Sequence, residues 1–264
     1  MARCLNCFRA ISHCLCEYAK PEIDSGIKFV LLMHPKEAKH QRTGTGRLTH
    51  LALKDSEIIV GLDYSKNQRF NELLNDPQYF AVMMYPGEDA WTAKKEGFKE
   101  AVAGRKLLVF VLDATWFCSR KLIEHNPQLL TLPRVSFHGQ YRSIFTFKRE
   151  PKPEYISTIE TCYYLIKELK DLESGISQTA VSSEQTLLEQ TTNKLFSEQT
   201  SIQNPRPLVN PDCNPEPLMN VFKAMIKDQL QCENDRIAGI LPSVYAHDWK
   251  YDDRKAREIP DYLE

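Results

Sequence analysis

Residues 107–116 read Leu107-Leu108-Val109-Phe110-Val111-Leu112, then Asp113-Ala114-Thr115-Trp116, and this stretch decides the fold class. A short unbroken apolar run is the mark of a strand buried on both faces. Its abrupt end puts a carboxylate, a hydroxyl and an indole at the strand's carboxyl end. The pattern repeats on either side. Ile27–Met33 ends in His34-Pro35, and Tyr79–Met84 ends in Tyr85-Pro86-Gly87; Ile58–Leu62 is a fourth strand. Helical spacing is expected over Gln68–Leu74, Trp91–Val102 and Phe117–Glu124. Ser157-Thr158-Ile159-Glu160 has capping-box spacing and opens a helix to about Leu169. Leu218–Leu230 is a last amphipathic helix. Strands alternating with helices predict an α/β protein with a mainly parallel sheet, whose ligands sit beyond the carboxyl ends of the strands.

With 264 residues, 42% hydrophobic and 26% charged, the chain can bury a sizeable core and is neither fibrous nor wholly disordered. No apolar run reaches the length of a membrane span, and residues 1–7 lack a secretory h-region, so a cytoplasmic protein is expected. The net charge of −1 hides an asymmetry. Residues 26–152 carry 20 Lys+Arg against 13 Asp+Glu, and residues 153–264 carry 11 against 19. That suits an anionic partner for the first part, or an unevenly charged solvated surface. Four units are expected: 1–25, a cysteine-rich segment; 26–172, the α/β domain; 173–217, a polar and mobile insertion; 218–264, a helix and charged tail.

Cys4-x2-Cys7 and Cys14-x-Cys16 supply four thiolates, the number a closed tetrahedral structural zinc site needs. The alternative is four reduced thiols in a frayed terminus. His13 is a substitute ligand, although an imidazole beside Cys14 is expected to be exposed. Lys36, Lys39, Arg42 and Arg47, with His34, His40 and His50 nearby, face one acid, Glu37. Such a loop fits RNA phosphate contact or plain solvation. Asp113 is a general base or the N-cap of the next helix, and position alone favours the cap. Trp116 fills the core or stacks on a base.

Taken in order, the motifs resemble those of the DTW-domain proteins, the family of tRNA-uridine aminocarboxypropyltransferases. The resemblance runs through Cys4-x2-Cys7-x-Arg9, Cys14-x-Cys16, His34-Pro35-x-Glu37, Thr45-Gly46-Arg47 and Tyr85-Pro86. It continues through Asp113-Ala114-Thr115-Trp116, Ser119-Arg120-Lys121, Leu132-Pro133-Arg134-Val135, Lys148-Arg149-x-Pro151 and Ser157-Thr158-x-Glu160. Three positions depart from it. Ala10 replaces a usual Pro, Gly44 replaces a common Asn and so removes a side-chain donor, and Thr161 replaces Ala.

The resemblance implies a SPOUT-like sheet with a trefoil knot around S-adenosylmethionine. It also implies transfer of the 3-amino-3-carboxypropyl group to N3 of a tRNA uridine, with methylthioadenosine as by-product. For that chemistry Asp113 is the expected catalytic base, with a contact to the donor's ammonium group or a helix cap as the competing assignments. Under the resemblance Thr45, Leu112, Leu132, Pro133, Ser157 and Thr158 contact the cofactor, and Lys36, Lys39, Arg42, Arg47 and Arg149 contact tRNA. The alternatives are a knotted RNA methyltransferase and a non-catalytic zinc-containing RNA-binding protein. A monomer is the default expectation.

Overall fold

The computed structural model describes residues 2–40, 44–93, 95–145, 155–174, 206–242 and 255–263. Its strands are β1 (Lys28–Met33), β2 (Ser56–Val60), β3 (Tyr79–Met84), β4 (Lys106–Asp113) and the two-residue β5 (Arg134–Val135). They form one all-parallel sheet in the order β2-β1-β4-β3-β5. The two central strands run in register, so Met33 and Asp113 are partners at the carboxyl edge. From β1 the chain passes to β2 on one side. From β4 it passes to β5 on the other side of the sheet. The edge between β1 and β4 is therefore the switch point where an open parallel sheet leaves a crevice.

Period-two alternation gives each face of the sheet its own core. Phe29 and Leu31 of β1, with Leu107, Val109 and Val111 of β4, belong to one cluster. Helices α2 (Gly46–Ala52), α6 (Thr158–Glu173) and α7 (Glu216–Ile237), together with the cysteine segment, complete it. Val30, Leu32, Leu108 and Phe110 point the other way, onto α3 (Gln68–Asn75), α5 (Trp116–His125) and Leu129. Asp113 follows the odd-numbered set and faces α2 and α6.

Residues 36–47 are read as loop from sequence, yet α1 (Pro35–His40) and the start of α2 lie there. Helices of six and seven residues show too little periodicity to be seen. Pro35 presets the first turn of α1, and the His34 ring accepts at Nδ1 from the Lys36 N–H at 3.1 Å, satisfying a donor of that turn. The helix expected over Trp91–Val102 shrinks to α4 (Phe98–Val102), because Gly97 at φ 88 starts it late and Trp91 is bridged to Val135. α6 and α7 each run longer than their patterns. Of the 173–217 stretch, residues 175–205 lie outside the described residues. Leu208, Val209 and Cys213 are buried in the main core, and the Glu173 carboxylate accepts from the Leu208 N–H at 3.0 Å. The charged tail likewise ends on a buried Leu263.

Candidate functional site

Asp113 closes β4 with only 4% of its surface exposed. Its Oδ1 accepts from the Thr158 hydroxyl at 2.7 Å, which ties it to the first residue of α6. Its backbone carbonyl accepts from the His34 N–H at 3.0 Å. On the α2 side it lies against Gly46, where a Cβ would stand 2.2 Å from Oδ2. Three other stretches of chain, at residues 34, 46 and 158, thus converge on Asp113, the last two on its buried carboxylate. The cap reading of Asp113 does not hold. Thr115 is the N-cap of α5, its side chain accepting from the Cys118 N–H at 3.4 Å. Buried Glu37 of α1 accepts from the Thr115 N–H at 3.2 Å and pins the turn after Asp113.

The field of Asp113 is felt around it. Burial first, then the Asp113 charge, pushes the Tyr64 phenol and the Cys162 thiol well above their ordinary values. Burial, then Lys36 and Lys121, hold the His34 imidazole below its ordinary 6.5. A neutral histidine and two lysines therefore border the carboxyl edge on the β1 side.

Glu160 does more than cap α6. It is fully buried, and its carboxylate accepts from the Ser157 N–H (2.8 Å), the Ser157 hydroxyl (2.6 Å), the Ser143 hydroxyl (2.7 Å) and the Ile144 N–H (2.8 Å). Two helical turns on, Glu168 accepts from the N–H groups of His138 and Gly139 and from the Tyr141 hydroxyl. The loop 138–145 is thus held to α6 by two carboxylates, one read from sequence only as the acid of a capping box and the other, Glu168, left unassigned. Their signal was the burial of acids on the apolar face of α6, which a single sequence shows only weakly.

The structure divides the remaining expected site residues. Thr45 is buried directly before Gly46, and its carbonyl accepts from the Thr49 N–H and hydroxyl. Ser157 and Thr158 stand at the start of α6. Leu112 and Leu132 pack into the second cluster, on the opposite face from the Asp113 side chain. The Pro133 carbonyl accepts from Met83 at 2.9 Å, one strand away from β4. Lys36 and Lys39 are exposed. Arg47 is engaged within the protein, donating to the Ala38 carbonyl at 2.8 Å with its guanidinium 4.3 Å from the Phe8 ring centre. Arg42 and Arg149 lie outside the described residues.

The four cysteine sulfurs of the N-terminal segment lie within 4.8 Å of one another, with Cys4–Cys16 at 3.6 Å and Cys7–Cys14 at 3.9 Å. Four thiolates at about 2.3 Å from a tetrahedral zinc stand about 3.8 Å apart, so the set fits that ion. Backbone N–H groups of Cys7 and Asn6 pull the Cys4 thiol down to about 6, whereas burial and the neighbouring thiols push Cys16 up, so without an ion the thiolate form is favoured at Cys4 and disfavoured at Cys16. His13 does not replace a ligand. Its Nδ1 meets Asp228 of α7 at 2.6 Å, beside the Arg9–Asp228 ion pair.

The DTW domain family model matches residues 1–230. This chain belongs to that family. The DTW domain therefore takes in both the cysteine cluster and the Asp113 site, and reaches into α7. Membership is consistent with a tRNA-modifying transferase and implies tRNA as a partner. No solved structure matches this DTW domain. Among its described residues, no helix is long and apolar enough to cross a membrane.

Proposed function

We propose that the protein moves the 3-amino-3-carboxypropyl group of S-adenosylmethionine onto N3 of a uridine in tRNA, leaving methylthioadenosine. The observation that carries this reading is the buried Asp113 carboxylate at the switch point, oriented by Thr158 and Gly46. The sulfonium of the donor makes the adjoining side-chain carbon electrophilic. What the protein must add is a base for the uracil N3–H and alignment of the two partners at about 3–3.5 Å. Asp113 is the base, and Thr158, by fixing Oδ1, sets the plane in which it accepts the proton. The Ser157 N–H and hydroxyl are both given to Glu160. With the Glu160 N–H taken by the Ser157 side chain, the first turn of α6 leaves the Thr158 and Ile159 N–H groups for the donor's carboxylate.

Thr45 and the Leu112, Leu132 and Pro133 backbone edges line the rest of the donor pocket in this reading. Lys36, Lys39, Arg42, Arg47 and Arg149 take tRNA phosphates. The Cys4, Cys7, Cys14 and Cys16 cluster holds a structural zinc. The matching fold class is SPOUT-like with a trefoil knot, with which the all-parallel sheet is compatible.

Incubation with S-adenosylmethionine and unmodified tRNA, followed by identification of the small-molecule product, tests the reading. Methylthioadenosine supports it. S-adenosylhomocysteine would make the protein an RNA methyltransferase. No product, with no donor binding by calorimetry, would leave a zinc-containing RNA-binding protein.

A further inference from the structure

Four residues beyond Asp113, on the first turn of α5, Phe117 has 67% of its surface exposed. Its neighbours on the helix are spoken for. Trp116 is stacked on Tyr155 at 3.7 Å between ring centres, while Cys118 and Leu122 are buried. Phe117 instead has the Lys121 ammonium 4.7 Å from its ring centre. Single exposed apolar side chains are ordinary on protein surfaces. This one is a flat ring with a cation beside it, on the helix that begins three residues after the carboxylate where the chemistry is placed.

We propose that Phe117 is a stacking platform for a nucleobase of the RNA substrate adjacent to the target uridine, with Lys121 taking the neighbouring phosphate. The inference rests on the tRNA reading above. The charges argue for a nucleotide as the occupant. Lys121 stands over the Phe117 ring and Lys36 of α1 is exposed at the end of β1, and both charges reach His34, so two lysines flank this ring and the strand end. Every base offers a π-face, and phosphates supply the charge that these lysines attract. A basic track with interleaved aromatics is how single-stranded RNA is held. A uridine that must present N3 cannot stay paired, so its neighbour also needs a surface to stack on.

Binding of unmodified tRNA by wild type, Phe117→Leu, Phe117→Tyr and Lys121→Ala, each across a salt series, tests this. Phe117→Leu is expected to weaken binding about 5- to 140-fold, the loss of one base stack, without changing the salt slope. Phe117→Tyr keeps the ring and should bind like wild type. Lys121→Ala should flatten the slope of log K against log salt by about 0.7–0.9. Melting temperatures should not move, because both side chains are exposed.

If wild type binds tRNA and Phe117→Leu binds equally well, the platform is wrong and the tRNA reading stands. If wild type binds no tRNA, both fall. If Phe117→Leu instead abolishes a wild-type dimer and leaves RNA affinity unchanged, the ring belongs to an interface between copies, and the inference is overturned.

Discussion

The carboxylate of Asp113 and the α-carbon of Gly46 are in direct contact, and no other residue type fits at position 46 without moving the carboxylate. An added Cβ would meet Oδ2 at 2.2 Å and Cγ at 2.4 Å. The carboxylate cannot swing aside cheaply, because it is buried and bonded to Thr158. Gly46→Ala is therefore expected to lower stability by about 1–3 kcal/mol through overpacking. It should also reduce turnover by displacing Oδ1 from Thr158. Thermal melts with a methylthioadenosine-release assay check both, and a variant of full activity would show that Asp113 need not hold its place.

Asp113→Asn keeps the shape and the Thr158 contact but cannot take the uracil proton. The expected loss is in kcat, by about 10²–10⁴-fold, with donor affinity nearly intact. Loss of donor affinity with normal turnover at saturation would make Asp113 a ligand of the ammonium group instead.

Glu160→Gln replaces an oxygen acceptor that serves four donors with a group able to accept at only one atom. Beyond the small cost of losing the capping box, the Ser143–Ile144 segment should come loose from α6. A destabilisation of about 1–3 kcal/mol in denaturant titrations is expected. An effect near zero would mean that the 138–145 loop is held by other contacts.

Neutral His34 stabilises the fold in a pH-dependent way. Because burial and then Lys36 and Lys121 depress its folded-state value, the unfolded chain binds the proton more readily. The contribution is complete above the ordinary value of 6.5 and is lost as pH falls below it. Melting temperatures from about pH 8 to about pH 5.5 should drop more steeply for wild type than for His34→Asn, which keeps an acceptor for the Lys36 N–H. Parallel curves would remove His34 from the acid response.

Paired replacement, Cys7→Ser/Cys14→Ser, should take bound zinc from about one per chain to none by metal analysis. Full retention of the metal would refute the four-cysteine site.

The legible parts of the fold were those with a strong local signal. β3 and the capping box at Ser157 lie where the pattern puts them, and β1, β4 and α3 agree within a residue. The misses have physical causes. β5 is two residues long and is a strand only because β3 lies beside it. β2 pairs from Ser56 rather than Ile58, since register with β1 overrides its own apolar run and leaves Leu62 exposed.

At the site, Asp113 could be singled out by its place after β4, but its partners Thr158 and Gly46 are 45 and 67 residues away along the chain. Nothing in local spacing reveals that they meet. Arg47 shows the converse. Sequence groups it with a basic cluster, while its contacts with Phe8 and the Ala38 carbonyl are visible only in space.

The Arg9–Asp228 pair joins positions 219 residues apart. At a synthesis rate of about 5–20 residues per second, the cysteine segment leaves the ribosome roughly 10–45 s before the helix that anchors it exists. During that interval only α2 and its neighbours are there to cover the segment, and the thiols lie open to oxidation or to an ion loaded early. The contacts with α7 are the last this segment makes, so under the proposed zinc reading a shortage of the metal would be felt while the protein is still being translated.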